Sequence, residues 1–149
     1  MILQTRIGQL LKDLQKLNEL NMWLASVGDE SVIEAVAELQ REQLRRGERP
    51  DGSEFDHYSQ VSQAVYGKPN TPIKWEDDGY FYKHIQAIVR PDMIEILNEG
   101  TIGDQGERID LEVRWDEIII GLQNDSIQEL IEKVKEKYLQ NIRELLHIG

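Results

Sequence analysis

The sequence predicts an α+β protein in which helices cover one side of an antiparallel sheet. Three observations lead to this class. Apolar residues recur at three- and four-residue steps at both ends of the 149-residue chain, they alternate with polar residues between about residues 85 and 115, and Pro- or Gly-containing turns separate the alternating runs. We expect two N-terminal helices, a long central loop, an antiparallel sheet and a long C-terminal amphipathic helix, forming one domain over residues 1–149.

Both N-terminal helices are predicted from amphipathic spacing. Residues 2–24 form the first, which either packs on the core or serves as an oligomerisation arm; Gly28 ends it. A capping box at Ser31-x-x-Glu34 opens the second helix, from about Val32 to Arg46, and Gly47 stops it. The inner face of this second helix is marked by Val32, Val36, Leu39 and Gln43, with Ile33 beside them.

The central loop, from Gly47 to about Ile85, is long for a small domain, and long ordered loops often carry function. Tyr58–Tyr66 shows a weak helical pattern. Asp77-Asp78-Gly79 is more typical of a tight turn than of acid–base or metal chemistry, because Asp side chains bond their own backbone and Gly relieves strain. Asp51-x-Ser53-x-x-Asp56 lacks the ligand pattern of a calcium loop and indicates a solvated loop.

The strands and the last helix follow. Ile85, Ala87 and Val89 alternate with polar residues and predict a hairpin with Met93–Ile96 across Pro91-Asp92. Ile109–Trp115 alternates most regularly and predicts a half-buried strand. A second capping box, Ser126-x-x-Glu129, opens the C-terminal helix, which we expect to pack on that strand. Its apolar face contains Leu130, Val134, Tyr138, Ile142 and Leu145, with Ile127 and Ile131 beside them.

The chain is acidic, with a net charge of −11. This charge opposes direct binding to nucleic acid and docking on an anionic membrane. Cysteine is absent, which excludes disulfides and thiolate chemistry. The first residues lack the uninterrupted apolar centre of a signal peptide, and no apolar run approaches membrane-spanning length, so we expect synthesis in the cytoplasm.

No residue pattern indicates a catalytic, cofactor or metal site. His57, His84 and His147 are scattered, and the glycines at 100, 103 and 106 do not form a phosphate-binding loop. The candidate partner interface consists instead of one basic cluster and one aromatic cluster. Solvation of a helix end is an equal explanation for the first, and core packing is the more frequent role for the second. These residues are Arg41, Arg45, Arg46 and Arg49, with Trp75, Tyr80, Phe81 and Tyr82.

The order of these motifs resembles a family of small morphogenesis proteins of tailed bacteriophages, the virion-morphogenesis or tail-completion group. In that group a helix ends in a Gln- and Arg-rich turn, and an Asp-Gly, aromatic and Tyr-Ser loop leads to an Asp-Thr-Gly turn and a hairpin. The matching pieces are Gln43–Gly47, Asp51-Gly52-Ser53, Phe55, Tyr58-Ser59 and Trp75–Phe81, with Asp78 at the Thr position and Trp75 at a Leu position. Ile120-Gly121-Leu122 and the last helix complete the resemblance.

The resemblance implies a non-enzymatic virion component, made in the host cytoplasm. It would act in head–tail joining or tail completion without a cofactor, with its own copies in a ring and other virion proteins as partners. Two other classes stay open. An acidic DNA mimic or inhibitor would space its carboxylates along one exposed face. A small enzyme would bring two carboxylates together in a pocket and shift their pKa values.

Overall fold

The computed structural model describes residues 26, 28–76, 79–90 and 93–145. Helices and two small antiparallel sheets make up the fold, and a long C-terminal helix ends it, which confirms the predicted mixed class. In chain order the elements are α1 (Glu30–Arg45), α2 (Gln60–Tyr66), α3 (Tyr80–Lys83), β1 (Gln86–Val89), β2 (Ile94–Leu97), β3 (Thr101–Ile102), β4 (Arg108–Ile109), α4 (Leu111–Trp115) and α5 (Asn124–Leu145). Short helices therefore occupy part of the predicted central loop.

Helix α1 begins slightly earlier than its predicted capping box. Asp29 is the N-cap, and its side chain accepts a hydrogen bond from the Ser31 amide at 3.0 Å. The helix ends as predicted, because Gly47 has φ +71 and its amide and that of Glu48 bond back to the last turn. A Cβ at Gly47 would lie 2.5 Å from Pro72 Cβ, so only glycine allows the central segment to pass this close to the helix end.

The core lies between α1, the central segment and the segment after α4. Its fully buried members come from widely separated parts of the sequence, so the long central connection supplies core rather than covering it. They are Ala37, Leu44, Phe55, Phe81, Tyr82, Ile85 and Ile119.

The predicted hairpin is confirmed, whereas the strand predicted at Ile109–Trp115 is wrong. Strands β1 and β2 pair antiparallel, with Ala87 opposite Ile96, and β3 and β4 form a separate two-stranded sheet. The second sheet ends at Ile109 because the Asp110 carboxylate accepts a hydrogen bond from the Val113 amide at 3.1 Å and caps α4. Residues 111–115 are therefore helical.

Helix α5 packs on α1 rather than on the predicted strand, and an ion pair of 3.2 Å joins Lys137 to Asp29 across this contact. The helix begins at Asn124, so Ser126 lies inside its first turn, where it is buried, and does not cap it. Four residues of the predicted inner face, Leu130, Val134, Tyr138 and Ile142, are half-buried, whereas Ile127 and Ile131 beside them are exposed.

Two buried glutamines of α1 hold the segment between α4 and α5. Gln43 donates to the Gly121 carbonyl at 2.7 Å and accepts from the Gln123 amide at 2.8 Å, and Gln40 accepts from the Gly121 amide at 2.8 Å. The glutamine side chains thus provide hydrogen bonds that a neighbouring strand would otherwise provide to this segment. They satisfy backbone groups whose burial without partners would be costly.

Several sequence predictions lie outside the described residues. They concern the helix over residues 2–24, the Asp77-Asp78 pair, the Pro91-Asp92 turn and His147. Beside the Asp pair, the Gly79 amide donates to the Glu76 carbonyl at 2.7 Å, and Gly79 has φ +85. Among the described helices, none has the length and apolar character needed to cross a membrane.

Candidate partner interface

An apolar groove with a volume of about 370 Å³ opens between α2, α4 and the segment that leads into α3. We name it the tryptophan groove. Its apolar floor consists of Ile73, Trp75, Phe81, Leu111 and Trp115. Its polar rim includes His57, Tyr58, Ser59, Ser62, Lys68 and Glu76. Apolar concave surfaces with a few polar groups at the edge are the usual form of a binding site.

Aromatic rings in edge-to-face contact build the floor. Trp75 stands between Phe55, at 5.6 Å between ring centroids, and Trp115, at 6.3 Å. Phe55 is fully buried, whereas Trp115 is 61% exposed. The row therefore runs from the core to the surface, and its outer member presents a large apolar ring to solvent.

Trp75 also carries two local costs. Its backbone has φ +58, a left-handed conformation that is unusual for a bulky residue, and its indole Nε1 is buried with no hydrogen-bond partner among the described residues. Such a conformation costs about 1–3 kcal/mol, and an unpaired buried donor about as much again. Costs of this kind concentrate at functional sites, which supports a functional role for the groove.

The rim is held by local hydrogen bonds and carries a cation, Lys68, that forms no ion pair with the described residues. Ser59 caps α2 by accepting from the Ser62 amide at 3.1 Å, and His57 bonds Asn70 at 2.9 Å. The Lys68 ammonium lies 5.4 Å from the centre of the Tyr58 ring, and no carboxylate of the described residues pairs with it. The mouth of the apolar groove therefore carries one positive side chain, Lys68, and one negative side chain, Glu76.

The four arginines predicted as a basic interface each pair with a carboxylate of the same chain. The guanidinium of Arg45 bonds Glu38 at 2.9 Å and lowers the pKa of that carboxyl, Arg46 bonds Glu48 at 3.1 Å, and Arg49 bonds Glu117 at 2.5 Å. These pairs neutralise most of the predicted basic patch.

Arg41 is the least exposed of the four arginines and bonds backbone carbonyls within the fold. Its side chain is 17% exposed and donates to the carbonyls of Tyr82 and Ile85, at 3.0 and 3.1 Å, at the end of α3. These hydrogen bonds use donors of Arg41 within the fold. For Arg41, Arg45, Arg46 and Arg49 an interface role stays a prediction.

The predicted aromatic interface divides between core and surface. Phe81 is 3% and Tyr82 6% exposed, and burial raises the pKa of Tyr82, whose hydroxyl donates to the Lys74 carbonyl at 2.6 Å. Both side chains are packed inside this chain, Phe81 also contributes to the groove floor, and an interface role for either stays a prediction. Tyr80 is half-buried and stacks on His84 at 3.9 Å, and Trp75 lies in the groove floor.

Sequence reasoning missed Trp115, Leu111 and Lys68 as groove residues. The strand assigned to Ile109–Trp115 placed Leu111 and Trp115 on a sheet face, whereas in α4 they are four residues apart and share the face toward the groove. The available signal was Asp110 directly before an apolar residue, a typical N-cap. Nothing in the local sequence distinguishes Lys68 from other surface lysines.

A second groove lies between α1 and α5 and is acidic. Asp125, Glu129, Glu132 and Glu136 line it, together with Lys133. Within the described part of the chain, no group of three or more His, Cys, Asp or Glu side chains is arranged to hold a metal ion.

No family model, curated protein or solved structure matches this chain.

Proposed function

We propose that the protein is a non-enzymatic structural component of a tailed-phage virion that acts in head–tail joining or tail completion as a ring of identical subunits. The observation that carries the proposal is the way the resembling motifs meet. Phe55, Tyr58-Ser59 and Trp75 are separated along the sequence, yet Phe55 stacks on Trp75, and Tyr58, Ser59 and Trp75 line one groove. The family-like segments thus build a single surface suited to a partner.

The composition of that surface supports binding rather than turnover. The groove has an apolar aromatic floor and a thin polar rim, and an exposed tryptophan at its edge is typical of an interface anchor. Among the described residues, the carboxyl groups with shifted pKa values are Asp29, Glu38 and Asp51. Hydrogen bonds from neighbours lower the pKa of each, and none of the three lines the groove. A general acid would need the opposite shift.

The proposal is tested by asking whether purified virions contain the protein and whether virions assemble without it. Virions released by a strain that encodes this chain are purified and assayed for it by mass spectrometry, and the gene is deleted. We expect the chain in wild-type particles, and separate DNA-filled heads and tails in the deletion strain by negative-stain microscopy. Infectious particles of normal form without the gene, together with absence of the chain from wild-type particles, would refute the proposal.

Complementation locates the function on the molecule. We expect Trp115→Ala to restore fewer infectious particles than the wild-type gene, because it removes the exposed anchor of the groove. The matched control is Leu139→Ala on α5, an exposed apolar residue that is not part of the groove lining. Equal restoration by both variants would separate the function from the groove.

One observation favours a DNA mimic as a second candidate. The four carboxylates of the acidic groove follow one side of α5 over about 16 Å, given a rise of 1.5 Å per residue. Lys133 interrupts the row, which weakens its likeness to a phosphate strand. If this class is right, the protein should capture DNA-binding proteins, added duplex DNA should release them, and Glu129→Lys with Glu132→Lys should abolish capture.

A further inference from the structure

The short helix α4 has two different faces. Leu111 and Trp115 line the tryptophan groove, whereas Val113 lies on the opposite side of the helix and is 78% exposed. The turn that ends the helix adds an exposed Asp116 and an Ile118 that is 72% exposed. We call Val113, Asp116 and Ile118 the apolar–acidic knob. Within α4, Val113 thus lies on the side opposite the groove, and the exposed Asp116 and Ile118 follow it in the chain.

The charges of the knob and the groove are complementary. Asp116 has no ion-pair partner among the described residues, and Lys68 at the groove rim has none either. The neighbouring carboxylates Glu112 and Glu117 are occupied, the first by the amides of residues 119 and 120 and the second by Arg49. Asp116 therefore accompanies the exposed apolar side chains as an anion without an ion pair. The groove rim carries Lys68 as a cation without an ion pair, together with the carboxylate of Glu76.

We propose that the knob of one copy of this chain enters the tryptophan groove of the next copy, with Val113 and Ile118 on the aromatic floor and Asp116 facing Lys68. Because Leu111 and Trp115 face the groove and Val113 lies on the opposite side of α4, the contact joins different surfaces of the two copies. It is therefore head to tail and leaves a free groove and a free knob at the ends. This contact rests on the proposed function, because it is the contact between neighbouring subunits that the proposed ring needs.

Each contact is small, so the strength of the assembly comes from closure. A groove with a volume of about 370 Å³ accommodates only a few side chains. The surface area that these side chains bury is smaller than the area that a stable pairwise interface needs. A chain that closes on itself gains from effective concentration at the last contact. The Asp116–Lys68 pair sets the register and adds salt dependence, while the apolar contacts supply most of the binding energy.

Disulfide trapping tests the contact directly, because the chain contains no cysteine. Ser62→Cys places a thiol in the groove and Val113→Cys places one on the knob. After mild oxidation we expect a mixed dimer from the two single variants and a ladder of trimers and larger species from the double variant. The control, Ser62→Cys with Gln128→Cys from the acidic groove of α5, should give no mixed dimer above background. Products that stop at the dimer would indicate a two-fold contact, and no product would indicate another occupant; either result overturns the proposal.

A charge exchange provides the second test. Lys68→Asp and Asp116→Lys should each weaken self-association about tenfold at low salt, measured by sedimentation velocity, because each places like charges in contact. The double variant should recover most of this loss, and the double-mutant cycle removes any independent effect of lysine in the left-handed conformation of Asp116, φ +48. The control Lys133→Asp should have little effect. Absence of recovery in a double variant with a wild-type circular dichroism spectrum would overturn the pairing.

The two proposals fail separately. If trapping fails while the chain still copurifies with virions, the subunit contact is wrong and the virion function stands. If trapping succeeds while the chain is absent from particles, the contact stands and the virion setting is wrong.

Discussion

Gly100 offers a sharp test of the fold around the groove, because Gly67 provides a control with the same backbone angle. Both glycines have φ +64. A Cβ at Gly67 would meet no heavy atom within 4 Å, whereas a Cβ at Gly100 would lie 2.9 Å from the carbonyl carbon of Ile109 and would overlap its oxygen. Thr101, the next residue, pairs with Ile109 and lines the groove. The Gly100→Ala change therefore forces β3 and β4 apart.

The cost divides into two parts. Alanine in the left-handed region costs about 1–2 kcal/mol, and the less flexible unfolded chain offsets about 0.4–1 kcal/mol of this. Gly67→Ala should therefore cost between about 0 and 1.6 kcal/mol. Gly100→Ala adds the displacement of a backbone carbonyl, which we place at about 2–3 kcal/mol from overpacked cores. Thermal unfolding by circular dichroism should show Gly100→Ala about 6–9 °C below Gly67→Ala, at about 3 °C per kcal/mol. Equal melting temperatures would refute the close approach of Gly100 to β4.

Three further outcomes follow from the contacts of α1 and α5. Gln43→Leu should lower the free energy of unfolding by about 2–5 kcal/mol, because the two backbone groups that it holds lose their partners, whereas Gln140→Leu on exposed α5 should cost less than about 0.5 kcal/mol by urea denaturation. Val134→Asp should cost about 2–4 kcal/mol and Leu139→Asp under about 1 kcal/mol, since only the first is half-buried; equal costs would contradict the packing of α5. Hydrogen bonds from a serine and a lysine lower the pKa of Asp29 below its ordinary 3.8, so its contribution is present above pH 3.8 and is lost as the pH falls through the lowered value. The stability gap between wild type and Asp29→Asn should therefore close in acid, and a gap that persists would exclude this cause.

The sequence predicted the elements whose pattern extends over several turns. Helix α1 and helix α5 each repeat apolar residues over 16 residues or more, and no other structure satisfies so long a pattern. The β1–β2 hairpin was predicted because alternation on both sides of Pro91-Asp92 fixes which residues can pair. In these cases the local pattern and the tertiary packing require the same structure.

The sequence failed where a short pattern fits two structures. Ile109, Leu111, Val113 and Trp115 alternate as a strand would, but Leu111 and Trp115 are also four residues apart, as in a helix. One side-chain hydrogen bond, from the Val113 amide to Asp110, decides between the two. The groove could not be predicted for the same reason, since its floor depends on residues of α4 and on a left-handed Trp75 that no sequence pattern indicates.

The distribution of charge distinguishes two possible contacts between copies, one at the arginine-rich end of α1 and one at the groove beside Lys68. The sequence pointed to the arginine-rich end of α1, but Arg45 and Arg46 each hold a carboxylate of their own chain. Arg45→Glu with Arg46→Glu should therefore act mainly on local stability, at about 0.2–1 kcal/mol for each exposed pair. It should alter self-association at low salt less than the single change Lys68→Asp, because the Lys68 ammonium has no carboxylate partner in the part of the chain that the structure describes. Sedimentation velocity on the two variants at low and high salt measures this order directly. A larger loss from the arginine pair would return the contact to the end of α1 and remove the charge argument for the groove.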